Sequence, residues 1–175
     1  VPNTACRVVD VETGEDLGAG DEGEVLVRGP QVMEGYYGRP DATDEAFVEG
    51  WLRTGDVGVV DEDGYLSVID RVKELIKYKG YQVAPAELEG LLLEESSVAD
   101  AAVVPKPDEE AGEIPKAFVV PDGDIDTEAV RESVADRVAP HKKVREMDIV
   151  DEIPKSPSGK ILRRVLVEEH VESDG

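Results

Sequence analysis

The chain has 175 residues with 41 Asp and Glu against 19 Lys and Arg, a net charge of -22, and 40% apolar residues. That length allows one ordinary domain or two small ones, and the apolar content is enough for a core, so the acidity does not mark a disordered tail. The charge excludes a nucleic-acid binder, which needs a positive footprint; apolar runs such as Ala101-Ala102-Val103-Val104 fall far short of the ~20 residues that cross a bilayer; and Cys6, the single cysteine, excludes an internal disulfide or a cysteine metal cluster.

Residues 1 to about 69 have the pattern of short strands and turns. Cys6 to Val9 and Glu24 to Val27 carry strand-forming residues, with Gly18, Gly20 and Gly23 between them. Cys6 is expected to be a small buried residue of its strand. Asp41 or Thr43 is placed to cap a short helical turn through Phe47, and Trp51 to pack in this part. Val57 to Val60 and Tyr65 to Ile69 flank Asp61-Glu62-Asp63-Gly64, which predicts a hairpin.

The rest predicts mixed α and β structure. Leu75-Ile76 and Tyr81 to Val83 are short strands around Gly80, and Pro85 opens a helix to about Glu94 with Leu88, Leu91 and Leu92 on one face. Val98 to Val104 and Ala117 to Val120 are strands, with a loop marked by Pro105, Pro107, Gly112 and Pro115. Asp126 or Thr127 caps a helix toward Val138 that carries Val130 and Val134 on its apolar face. Met147 to Val150 is a last strand and Ile161 to about His170 a last helix; His141 and His170 show no metal spacing and are expected at the surface. The boundary falls at Asp70-Arg71, where a strand run ends and basic character begins.

The basic residues are grouped. Arg71, Lys73, Lys77 and Lys79 form one cluster, Lys142, Lys143 and Arg145 a second, and Lys155, Lys160, Arg163 and Arg164 a third. Residues 1–70 hold 4 basic against 17 acidic residues, and 71–175 hold 15 against 24. Two explanations compete: ion pairing on a solvated face, or local capture of a small anion such as phosphate.

Several motifs follow in a fixed order: Trp51-Leu52-Arg53-Thr54-Gly55-Asp56, then Tyr65 through Arg71, then Lys77-Tyr78-Lys79-Gly80-Tyr81-Gln82-Val83-Ala84-Pro85, and finally Pro154-Lys155-Ser156-Pro157-Ser158-Gly159-Lys160. The last is not a nucleotide-binding P-loop, which would need Gly where Pro154 stands and Ser or Thr where Ile161 stands. Taken together, and with Gly23-Glu24, Arg28-Gly29-Pro30 and Met33-Glu34-Gly35-Tyr36-Tyr37 upstream, the set resembles the C-terminal third of the adenylate-forming superfamily, which includes acyl-CoA synthetases, 4-coumarate:CoA ligases, beetle luciferases and peptide-synthetase adenylation domains.

The resemblance implies an α+β chain: residues 1–69 as the small β-rich end of a large N-terminal domain, 70–71 as a hinge, and 72–175 as a mobile C-terminal domain. It implies an ATP-dependent acid–thiol ligase that makes an acyl-adenylate and then a thioester with CoA. Asp56 and Arg71 resemble residues that hold the ribose, Asp70 the hinge residue, and Lys160 the lysine that acts in adenylation. Lys73, Lys77 and Gln82 resemble adenylate contacts, and Lys79 and Gly80 residues beside CoA. Glu87 is expected to be a first-turn helix acid with no catalytic role.

The family's phosphate loop, its adenine-binding aromatic motif, most of its acyl pocket and its magnesium-binding glutamate have no counterpart here, so Mg2+ ligands and the choice of carboxylic acid are expected in an N-terminal part outside this chain. The isolated chain is accordingly expected to be inactive. A start at Val1 without a leader fits a fragment of a cytoplasmic protein, and the acidity fits a halophilic source. Fatty acid metabolism and acetylation of Lys160 are further implications of the resemblance. The alternatives are a peptide-synthetase adenylation domain and a non-catalytic binding remnant.

Overall fold

Alternating strands and glycine turns build the first part of the chain into an antiparallel sheet. In this computed structural model, which describes residues 2–171, the chain divides into two compact units, Val1–Lys73 and Glu74–Gly175. The first unit holds β1 (Ala5–Val9), β2 (Glu22–Arg28), helix α1 (Pro40–Ala46), β3 (Phe47–Val48), β4 (Trp51–Val60) and β5 (Leu66–Arg71). The sheet runs β1-β2-β4-β3, and β5 pairs with the second half of β4. Val8, Val9, Val25, Leu26 and Val57 are its buried hydrophobic residues.

Two local expectations fail in this unit. Cys6 is exposed, because β1 is an edge strand whose first residues lie outside the buried stretch. Neither Asp41 nor Thr43 caps α1: the helix starts on Pro40, which suits a first position that needs no donor. Thr43 Oγ1 instead accepts from the Tyr36 amide at 2.9 Å and donates to the Arg39 carbonyl at 3.0 Å, so it shapes the loop before the helix.

The second unit contains β6 (Ile76–Tyr78), β7 (Tyr81–Val83), α2 (Pro85–Leu93), β8 (Val98–Asp108), β9 (Gly112–Pro121), α3 (Thr127–Ala135), β10 (Glu146–Ile149) and α4 (Arg163–His170). Its sheet runs β10-β9-β6-β7, with β8 against β9 and β10 parallel to β9. Two-residue alternation sends Ala101, Val103, Ala117 and Val119 to one face, where Leu88 and Leu92 of α2 and Val130 and Val134 of α3 cover them. Ala102, Val104 and Phe118 point the other way, onto Leu166 of α4 and Ile153. Asp126 caps α3 by accepting from the Glu128 and Ala129 amides, each at 3.1 Å, and the helix ends at Ala135, short of Val138.

The proline-marked loop is the main correction. Pro105, Pro107 and Pro115 lie inside a long β8–β9 hairpin, with Pro105 opposite Pro115. The Val103 amide donates to Glu89 and its carbonyl accepts from Arg163, so the backbone groups at this parity face away from β9. Pro105 and Pro107 share that parity and remove no ladder hydrogen bond.

Candidate functional site

In the first unit, a break in strand regularity presents the candidate ribose-binding pair. Thr54 Oγ1 donates to the Val25 carbonyl at 2.7 Å and accepts from the Asp56 amide at 3.0 Å, while Gly55 takes φ +70°. A side chain at Gly55 would meet no atom within 4 Å, so the backbone conformation is what calls for glycine. The β2–β4 register shifts between Glu24 and Leu26, and Asp56 then faces Arg71 across the β4–β5 ladder. The Arg71 guanidinium donates to Asp56 Oδ1 at 2.6 Å with both side chains partly open to solvent (56% and 32%), leaving carboxylate lone pairs free for hydroxyl donors. Asp70 is buried beside them, and its Oδ1 accepts from the Arg71 amide at 2.8 Å.

Lys73 stands at the edge of a cleft of about 530 Å³, also lined by Tyr36, Arg39, Thr54, Gly55 and the Glu24–Arg53 pair. Glu24 is 3% exposed, and Arg53 clamps its Oε2 through Nε at 3.0 Å and Nη2 at 2.5 Å; that bond holds the guanidinium still more firmly in its charged form. Arg39 and the Glu24–Arg53 pair are absent from the residues chosen on sequence. The pair joins positions 29 apart, and no local pattern links them.

In the second unit, β6 and β7 form a two-residue hairpin that places Lys77 opposite Gln82. Its turn residues, Lys79 and Gly80, both have positive φ, 49° and 82°, as a tight primed turn requires. The Lys79 amide donates to the Ala111 carbonyl at 2.8 Å, and the Lys77 amide to Glu113 at 2.7 Å. Aromatic packing supports the hairpin: Arg145 lies over the Tyr78 ring at 4.8 Å, and His141 stacks on Tyr81 at 4.5 Å. His141 is thus half-buried against this hairpin, against the expectation of a surface residue, whereas His170 is exposed. Glu87, in the first turn of α2, pairs with Lys142 at 2.6 Å.

Lys160 sits on a separate small loop. Residues Lys155 and Ile161 bridge, the Ser156 amide donates to the Lys160 carbonyl at 2.8 Å, and the Lys160 amide donates to Ser156 Oγ at 3.1 Å. Gly159 turns this loop with φ +82°. The Lys160 side chain is exposed, and among the described residues no carboxylate pairs with it.

This separates the clustered cations into two kinds. Arg71, Lys142, Lys155, Arg163 and Arg164 pair with carboxylates. Among the described residues Lys73, Lys77, Lys79, Lys143, Arg145 and Lys160 do not, although the chain carries more than two acids per base. Also among the described residues, no group of three or more His, Cys, Asp or Glu stands together as a metal site.

Comparison with known proteins gives the family. The model of the AMP-binding enzyme C-terminal domain matches residues 87–160, and that of the AMP-binding enzyme matches residues 1–37. A 4-coumarate–CoA ligase-like protein of Oryza sativa subsp. japonica is 57% identical over 169 residues, covering 95% of this chain. The chain belongs to the adenylate-forming superfamily.

Within that superfamily, 4-coumarate-CoA ligase 2 of Narcissus pseudonarcissus is 54% identical over 95% of the chain. This chain spans about 30% of the length of these relatives (28% and 30%). Among solved structures, ATP-bound MatB from Rhodopseudomonas palustris has a TM-score of 0.90 at 34% identity over the whole chain, covering 35% of MatB. An amide bond synthetase, McbA from Marinactinospora thermotolerans, has a TM-score of 0.85 at 39% identity, over 94% of this chain and 34% of McbA. The mixed α and β architecture is therefore that of adenylate-forming enzymes.

Proposed function

We propose that the chain is the C-terminal part of an ATP-dependent acyl- or aryl-CoA ligase. Residues 1–69 end its large domain, Asp70-Arg71 is the hinge, and 72–175 is the mobile domain. The observation that carries this reading is the set of exposed lysines left without carboxylate partners among the described residues of an acid-rich chain, Lys160 foremost. In the first half-reaction a carboxylate oxygen attacks the α-phosphate of ATP, and the bond to pyrophosphate breaks. Lys160 holds its positive charge against the oxygens that gain charge, a service an ion-paired lysine would render poorly. Asp56 accepts the ribose hydroxyls while Arg71 fixes its carboxylate.

In the second half-reaction the CoA sulfur, having lost its proton, attacks the acyl carbonyl and AMP leaves. Lys79 and Gly80 line the path of the thiol arm, and Lys73, Lys77 and Gln82 contact the adenylate. Gly80 suits that path, since nothing lies within 4 Å of where its side chain would be. Mg2+, when bound to ATP, would offset phosphate charge, and no residue described here is assigned to it. The protein works in a cytoplasm of high salt, where the acid-rich surface stays hydrated.

The test is AMP release by the full-length protein with ATP, a panel of carboxylic acids and CoA, beside the Lys160→Ala variant. Thioester formation that disappears with Lys160 supports the reading. Transfer to amines with CoA ignored would instead place the protein with amide bond synthetases such as McbA, and AMP release by the isolated chain would overturn its role as a part.

A further inference from the structure

The loop that carries Lys160 has no extensive packing of its own: residues 155 and 157–160 are exposed. Ile153 and Ile161 on its flanks pack in the apolar core, and ionic attachments tie it further: the upstream one ends on strand β8, the downstream one on Glu89 of α2, which is itself bonded to β8. Upstream, Lys155 Nζ donates to Asp100 Oδ2 at 2.5 Å. Downstream, a single nitrogen of Arg163, Nη2, reaches both carboxylate oxygens of Glu89 at 2.9 and 2.8 Å, while Nε donates to the Val103 carbonyl at 3.2 Å and the guanidinium also pairs with Glu74. Glu89 is itself fixed, since its Oε1 accepts from the Val103 amide at 2.9 Å. Between the two attachments the Lys155–Ile161 bridge and the Leu162 amide on the Pro154 carbonyl (2.8 Å) close the loop.

We infer that Lys155–Asp100 and Arg163–Glu89 act as two pins that hold the Lys160 loop against β8, and that Lys155 and Arg163 are positioning residues for Lys160. The inference rests on the role proposed for Lys160. A flexible four-carbon cation serves a phosphoryl transition state only if its root is fixed, because misplacement by about 1 Å can cost a large factor in rate. The pins supply that fixity on a loop with little burial, and neither uses a group that must touch substrate. They differ in cost of removal. Asp100 and Lys155 are 28% and 40% exposed, so their pair adds little stability, whereas Arg163 neutralises a buried carboxylate. Lys155 therefore gives the cleaner experiment.

The full-length protein is assayed for each half-reaction separately: ATP–pyrophosphate exchange for adenylation, and thioester formation from a supplied acyl-adenylate. Lys155→Met and Asp100→Asn are each expected to lower the exchange rate about tenfold, with the KM for ATP unchanged. The thioester step should keep its rate, and the unfolding temperature should move by less than about 2 °C. Lys155→Arg, which can remake the pair, should restore exchange, and the double variant should be no worse than either single one. Equal loss in both half-reactions, a loss that tracks the unfolding temperature, or undiminished exchange overturns the inference. Lys160→Ala runs alongside: if it abolishes exchange while Lys155→Met does not, the pins alone fail. If exchange survives Lys160→Ala, the reading of the site fails, and the inference with it.

Discussion

The two units handle charge in opposite ways. In the first, the candidate residues Asp56 and Arg71 satisfy each other across a β-ladder at 2.6 Å, and Lys73, at the end of that unit, stands without a carboxylate partner among the described residues. In the second, Lys77, Lys79 and Lys160 stand without carboxylate partners among the described residues, while the neighbouring Lys142, Lys155 and Arg163 are paired. The contrast is what the chemistry proposed for each would call for. Neutral hydroxyls are best met by a carboxylate already held in place, and charge that appears only during phosphoryl transfer by a cation not already neutralised. Each unit also buries one acid under an arginine: Glu24 under Arg53, and Glu89 under Arg163. Those pairs belong to the scaffold.

Breaking the scaffold pairs should have the largest effect. Arg163→Met and Arg53→Met each take the arginine's charge away from a buried carboxylate, and each is expected to cost about 3–5 kcal/mol in denaturant unfolding. Similar losses in the two units would show the pairs to be equivalent in kind. Next comes Lys160→Ala, expected to lower adenylation by about 10²–10³-fold in pyrophosphate exchange while leaving chemical stability curves unchanged. Asp56→Asn should raise the KM for ATP about tenfold with little change in stability, since the Asp56–Arg71 pair is solvent-exposed. A large stability loss there would move that pair from the site into the scaffold. Gly80→Ala forces a side chain into φ +82° in open space, so it should cost about 1 kcal/mol in unfolding, and more in the thioester step than in adenylation. The smallest effect sharpens the charge comparison itself: raising KCl from 0.1 to 1 M, as screening length falls from ~10 to ~3 Å, should raise the unfolding temperature by screening the net -22.

Much of the fold was legible from local pattern. The Asp61–Gly64 hairpin, the α2 face of Leu88 and Leu92, and the Asp126 cap are all set by residues within a few positions of one another. The β8–β9 hairpin was not. Three prolines signal a loop in isolation and are tolerated only because their missing donors point away from the partner strand, a fact of register. Cys6 and His141 failed for the same reason: exposure depends on which strand is an edge and which ring packs beside it.

The sequence by itself determined the family and the residues worth testing, because ordered motifs of Gly, Asp, Arg and Lys are chemical requirements written locally. It also showed that the positive charge is clustered. Only the tertiary structure decided which of those charges are spent on carboxylates and which remain available, as in Arg163 with Glu89 against Lys160. The reason is physical: an ion pair is a meeting of side chains, here across 74 positions, and chain folding alone brings such partners together.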